Sequence, residues 1–157
     1  MNILFLCTGN SCRSILAEAT FNALAPKGMR ALSAGSQPTG EVHPRSIALL
    51  KSKGISAAGY YSKSWNELPV VPDIVITVCA GAAGEACPAY LGNVMRAHWG
   101  VYDPAKAVGA EDEINASFEH AYAVLRKRIE AFLRLDVNIL TDKNLLAKQL
   151  GEIAQLT

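Results

Sequence analysis

The chain has almost no net charge. Fifteen Lys and Arg stand against fourteen Asp and Glu, which leaves +1 at pH 7. A chain so balanced lacks the basic face that nucleic acid or an anionic membrane surface demands, so neither is expected as a partner. It also lacks a long apolar run: nothing approaches the roughly 20 residues of a membrane span. The first residues carry no basic stretch, and polar residues follow the short apolar segment at 2–6, so the start does not read as a signal peptide. These absences point to a cytoplasmic protein. Repeats and low-complexity segments are missing too. Charged residues make up 18%, but half of the 157 residues are hydrophobic, which excludes disorder and suits one domain with a sizeable core. There are four cysteines. In a reducing compartment they point to catalysis, metal binding or redox cycling more than to structural disulfides.

What is present is an alternation of strands and helices. Residues 2–6 form an unalternating apolar run, as expected of a central parallel strand. Residues 14–24 read as a helix stopped near Pro26 and Gly28. Strands are expected at 29–34, 73–78 and 94–99, and a helix over about 45–53. Residues 112–134 carry Phe118, Tyr122, Leu125, Ile129 and Phe132 at helical spacing. The pattern predicts a single α/β domain built on a four-stranded parallel sheet flanked by helices. In such sheets ligands bind beyond the carboxyl ends of the strands. Cys7, Cys79 and Asp103 all follow predicted strands, so one site can collect them. In residues 136–157, Leu145, Leu146, Leu150 and Ile153 suggest a short amphipathic helix capped by Asp142 or Thr141. It either packs on the body of the domain or serves dimerisation or docking of a reductase.

The most informative segment is Cys7-Thr8-Gly9-Asn10-Ser11-Cys12-Arg13-Ser14, directly after the first strand. A nucleophile ends the strand, a loop follows, and a helix starts near Arg13. The backbone N–H groups of such a loop fold round one tetrahedral oxyanion, and the helix N-terminus adds partial positive charge. The same field is expected to hold Cys7 as a thiolate. Arg13 grips two oxygens with its planar fork. Cys7 can then attack the central atom, which calls for a proton donor for the departing oxygen. Asp103, before Pro104 on a Gly-bounded loop, is the best candidate.

Cys79 and Cys87 are separated by seven residues, rich in Ala and Gly and easy to rearrange. Spacing alone leaves two readings open: two inert cysteines, or a pair that bridges transiently once their Cα atoms come within roughly 6 Å. Neither C-x4-C at 7–12 nor C-x7-C at 79–87 matches usual zinc spacing, so no metal is expected. His43, His98 and His120 read as structural or surface residues.

These residues resemble the arsenate reductases built on the low-molecular-weight tyrosine phosphatase fold. The resemblance spans about residues 2–134 and rests on CTGNSCRS at 7–14, Ser33-Ala34-Gly35, VITVC at 75–79, CP at 87–88 and HWG…DPA at 98–105. It divides the chain into a phosphatase-like domain at 1–135 and a C-terminal helical extension at 136–157.

The resemblance implies that arsenate, with phosphate or sulfate as analogues, binds the loop 8–14 and Arg13. Cys7 attacks arsenic while Asp103 protonates the leaving oxygen. Cys79 then attacks Cys7, arsenite leaves, and Cys87 takes the disulfide over as Cys79–Cys87. Thioredoxin or glutathione with glutaredoxin would re-reduce it, so no bound cofactor is expected, and the protein is expected to work as a monomer. Ser14 is expected to hydrogen-bond Cys7, Asn10 to brace the loop, and Cys12 to be structural or an off-pathway oxidation partner of Cys7. The thioredoxin-coupled members have six residues between the last two cysteines, where this chain has seven. Some relatives bind potassium through Asn, Glu, Ser and Asp. Asn10, Glu18 and Ser33 match three of these, and the Asp position falls near Lys63, whose ammonium is expected to replace the cation. The rival enzyme is a low-molecular-weight protein tyrosine phosphatase, needing only Cys7, Arg13 and Asp103, and weak phosphatase activity is expected in any case. The rival outside catalysis is a thiol redox sensor or oxyanion-binding module.

Overall fold

The computed structural model describes residues 1–84, 91 and 93–157. Four strands, β1 (Asn2–Leu6), β2 (Arg30–Ala34), β3 (Ile74–Thr77) and β4 (Met95–His98), form one parallel sheet in the order β2-β1-β3-β4. The register pairs Leu4 with Leu32 on one side and with Val75 on the other. Residues 3–6 of β1 and all of β3 are buried. A parallel strand covered on both faces has no polar side, which is why these two read as continuous apolar runs. The edge strand β4 instead alternates half-buried and exposed residues.

The helices are α1 (Arg13–Leu24), α2 (Pro44–Ser52), α3 (Ala80–Gly84), α4 (Glu111–Leu133), α5 (Val137–Leu140) and α6 (Lys143–Ile153). None of the described helices is long and apolar enough to cross a membrane. Four aromatic rings tie the layers together. Phe5 of β1 meets Phe21 of α1 at 6.1 Å and Trp99 at 6.2 Å, and Phe132 of α4 meets both Phe21 and Trp99. Burying each Phe fully is worth about 1.5–3 kcal/mol.

The C-terminal region corrects one expectation. Two helices form where one was expected. The Asp142 carboxylate accepts from the Asn144 and Leu145 N–H groups at 3.0 and 3.1 Å, and so starts α6 afresh. Leu146, Leu150 and Ile153, one helical stripe, join the same core as the sheet, but Leu145 faces outward, 46% exposed. The Trp99 indole N–H donates to the Leu150 carbonyl at 3.1 Å, which pins α6 to the end of β4.

Candidate active site

The loop after β1 is held from outside. Its carbonyls are taken by surrounding segments: Thr8 O by the Gln37 N–H, Gly9 O by the Thr39 N–H and the Ser62 hydroxyl, Ser11 O by the His43 N–H and the Ser46 hydroxyl. With its carbonyls turned outward, the loop leaves its N–H groups for the concave side, where the Gly9 N–H meets Cys7. Asn10 makes the sharp turn. It has φ 48°, a left-handed conformation that Asn tolerates better than most side chains. Its amide nitrogen donates to the Ser14 and Ser33 hydroxyls, each at 2.9 Å, and its amide oxygen accepts from the Lys63 N–H at 2.8 Å. Helix α1 starts at Arg13 with no side-chain cap from Cys12, so its first turn keeps free donors facing the loop.

Beneath Asn10 lies a buried polar cluster. The Ser33 hydroxyl donates to Glu18 Oε1 at 2.6 Å, and Lys63 Nζ stands 3.7 Å from the same oxygen, with both side chains almost fully buried. Lys63 Nζ also donates to the Tyr61 carbonyl at 3.3 Å and sits 4.6 Å from the centre of the Tyr61 ring. Burial pushes the Glu18 carboxyl up and the Lys63 ammonium down, and each partner opposes the other's shift.

Arg13 turns its fork toward the loop after β4. Nη1 donates to the Val101 carbonyl at 3.0 Å, and Nη2 lies 3.3 Å from Asp103 Oδ2. The other Asp103 oxygen accepts from the Ala105 N–H at 3.0 Å and caps the short helical turn Pro104–Lys106. Arg13 Nε is buried without a partner among the described residues, a donor of the kind that an oxyanion satisfies.

Cys7 and Cys79 meet at the edge of the loop. The Cys79 sulfur accepts from the Thr8 N–H and from the Ala82 N–H, each at 3.3 Å, with the Thr8 hydroxyl at 3.6 Å. The Cys79 sulfur is also in hydrogen-bonding contact with Cys7, and this contact first, then the Ala82 and Thr8 donors, brings the Cys79 thiol down to about 5 against burial. The Cys7 thiol is pushed up, first by its bond to Cys79 and then by burial, against the Arg13 charge and the Gly9 N–H. The oriented backbone donors at this pair thus converge on the Cys79 sulfur. Ser14, expected to bond the Cys7 sulfur, accepts from Asn10 instead. Cys12 is buried, 3.7 Å from the Ser11 hydroxyl, with its thiol pushed up by burial. Cys7, Cys12 and Cys79 are free thiols, and Cys87 lies outside the described residues.

A cavity of about 640 Å³ gathers Thr8, Gly9, Arg13, Cys79 and Asp103 together with His98, Tyr102 and Lys106. A larger one, about 740 Å³ between α2 and α4, is lined by no cysteine and lies away from the loop 7–14, so chemistry selects the smaller. His98 was read as structural, yet it lines the site, its Nδ1 2.7 Å from the Thr77 hydroxyl. Its place at the carboxyl end of β4, at the same sheet edge as Cys7, was the signal. His43 caps α2 by accepting from the Arg45 N–H and lies against Phe118, while His120 is exposed.

The comparisons agree with this geometry. Residues 2–149 match the family described as low molecular weight phosphotyrosine protein phosphatase. The chain is 40% identical over 131 residues to an arsenate reductase of Halalkalibacterium halodurans, covering 83% of this chain and 93% of that protein. It is similar to a solved arsenate reductase in its phosphate-binding state, with a TM-score of 0.71 and 25% identity over 84% of this chain and 95% of the other. A thioredoxin-dependent arsenate reductase of Corynebacterium glutamicum is similar with a TM-score of 0.56 and 26% identity, over 82% of this chain and 61% of that one. The chain belongs to the low-molecular-weight phosphotyrosine protein phosphatase family, among its arsenate reductases.

Proposed function

We propose that this enzyme reduces arsenate to arsenite by a relay of thiols. The observation that carries the reading is the second thiol: Cys79 stands in hydrogen-bonding contact with Cys7 at the mouth of an oxyanion loop. A phosphatase has no use for it.

Arsenate enters the loop 8–14 and takes the Arg13 fork. The proton that Cys7 donates to Cys79 moves fully across, and Cys7 becomes the nucleophile, stabilised by Arg13 and the Gly9 N–H. Cys7 attacks arsenic, and Asp103 gives a proton to the departing oxygen. Cys79 passes that proton on to Asp103, which has just given up its own, and, again a thiolate under the Thr8 and Ala82 N–H groups, attacks the Cys7 sulfur. The sulfur–arsenic bond breaks, its electron pair stays on arsenic, and arsenite leaves with a Cys7–Cys79 disulfide behind it. Cys87 takes over the disulfide, and an external thiol reduces Cys79–Cys87. Thioredoxin is the first donor to try, since one similar protein is thioredoxin-dependent; glutathione with glutaredoxin is the second. The free thiols at 7, 12 and 79 suit a reducing compartment such as the cytoplasm. Asn10, Glu18, Ser33 and Lys63 hold the loop in shape, and one chain holds all of these groups, so a monomer suffices.

The test is arsenite production from arsenate by the purified protein with each thiol system in parallel, beside aryl phosphate hydrolysis. Turnover with either system supports the reductase. Hydrolysis without any arsenite would make this a phosphatase, a reading that Cys7, Arg13 and Asp103 alone support.

A further inference from the structure

Arg128 points inward from α4, 4% exposed, between the core residues Leu125 and Phe132. Among the described residues its guanidinium donates to carbonyls alone. Nη1 donates to Trp99 O at 2.8 Å and Gly100 O at 3.2 Å, and Nε donates to Leu156 O at 3.0 Å. Among the described residues no carboxylate pairs with it. Burying a cation on neutral acceptors is expensive, and an apolar side chain of similar size would fill the space at less cost. What the cation holds lies next to the site. The following carbonyl, Val101 O, accepts from Arg13, and Asp103 lies two residues on. Three successive carbonyls, at 99, 100 and 101, are thus gripped by two guanidinium groups, Arg128 from behind and Arg13 from within the site. The Trp99 and Val101 N–H groups bind the carbonyls of Thr77 and Val78, on the stretch that leads to Cys79. The other end of the strut, Leu156, lies beyond the family match, which stops at 149.

We infer that Arg128 is a positioning residue for the acid: it ties the backbone that carries Asp103 to the C-terminal segment, and so makes α5 and α6 part of the catalytic frame. The inference rests on the proposed role of Asp103 as proton donor. Arg128 touches no reacting atom; it fixes where the Val101 carbonyl and the Asp103 carboxylate stand relative to Arg13.

The experiment is a double-mutant cycle on the full chain, with thermal unfolding measured for every variant. Arg128→Met is expected to fold and to lower kcat by about 10- to 100-fold, as a misplacement of order 1 Å does, with the KM for arsenate moving far less. In an Asp103→Asn background the same change should cost no more than about twofold, because the group it positions is already silent. Arg128→Lys, which keeps a charge but not the fork, should fall between. The same loss in both backgrounds would mean a merely structural role and overturn the inference, as would a folded R128M with full kcat. If R128M does not fold, R128K carries the cycle, and an R128K with lowered Tm but full kcat overturns it. If the wild type makes no arsenite, aryl phosphate hydrolysis, which uses the same acid, carries the cycle instead. An Asp103→Asn variant with full kcat would sink the reading of Asp103, and this inference with it.

Discussion

Arg13 Nη2 lies 3.3 Å from Asp103 Oδ2, so the cation proposed to clamp the oxyanion also holds the carboxylate proposed as the acid. The two roles separate by mutation. Arg13→Lys keeps a charge but loses the planar fork and its hold on the Val101 carbonyl. It should cost about 10²–10³ in kcat/KM for arsenate, the scale of a lost oxyanion donor. Asp103→Asn keeps an acceptor for the Ala105 N–H but has no acidic proton. It should lower kcat by about 10²–10⁴ and leave the KM for arsenate nearly unchanged. Steady-state kinetics on both variants distinguishes the roles, and a D103N that loses binding alone would count against Asp103 as the acid.

Cys79 should behave as the low-pKa thiol. The rate of its alkylation against pH should show a midpoint near 5, and the Cys7 thiol should react only well above that. The sign follows from the donors. Cys7→Ala removes the leading one, so the Cys79 midpoint should move up. Mass spectrometry of the alkylated peptides identifies which sulfur reacts. Cys79→Ser should abolish arsenite production and spare slow aryl phosphate hydrolysis; loss of both would mean that Cys79 holds the loop rather than serving as the second nucleophile.

The buried pair Glu18–Lys63 gives a stability prediction with a pH sign. Lys63→Met leaves the Glu18 carboxylate buried with the Ser33 hydroxyl on it and the more distant Arg30 charge. Breaking a buried pair in this way costs about 3–5 kcal/mol. Burial already holds the Glu18 carboxyl above its usual range, and losing the cation pushes it higher. A carboxyl whose folded pKa is raised stabilises the fold below its unfolded pKa, and that contribution fades as pH rises through the folded value. K63M should therefore be more stable at pH 5 than at pH 8, and Glu18→Gln added to it should recover most of the loss at pH 8. Potassium should neither stabilise nor activate the wild type, since the ammonium occupies that role; a clear potassium response would refute the substitution.

The parts of this molecule that were legible in its sequence are those where local pattern and tertiary role coincide. β1 and β3 are buried on both faces, so their apolar runs carry the whole signal. The loop 7–14 was readable because nucleophile, turn and arginine sit within one stretch. Asp103 required topology as well, since Asp-Pro alone is a turn. The break between α5 and α6 was hidden because Thr141 and Asp142 each cap a helix, one at its end and one at its start. The donors that gather on Cys79 were hidden for a different reason. Cys79 takes the loop's own Thr8 N–H, a contact between residues far apart in the chain. Arg128 was invisible for the same reason: on α4 it reads as one polar residue beside Ile129, and only the fold reveals carbonyls waiting for it.

Gly35 tests the claim that outer segments shape the loop. A Cβ there would lie 2.3 Å from the Thr8 carbonyl oxygen and 2.7 Å from that of Cys7, both backbone atoms with nowhere to swing. Its φ is not in the left-handed region, so the requirement is close approach rather than backbone freedom. The N–H of Gly35 donates to Lys63 O, and its carbonyl accepts from the Trp65 N–H, so it cannot retreat without dragging the segment that carries Lys63. Gly35→Ala must therefore push the first residues of the loop inward or pull Lys63 away from Glu18. Either shift should cost about 2–4 kcal/mol of stability, at the upper end of overpacking changes. It should also lower kcat/KM for arsenate by more than Tm alone explains, because the loop's N–H groups no longer converge on one point. Phosphate protection against thermal unfolding reads this directly: the wild type should gain Tm with added phosphate and G35A should gain little. A G35A protein with lowered Tm but full phosphate protection would show that the loop keeps its shape without that contact.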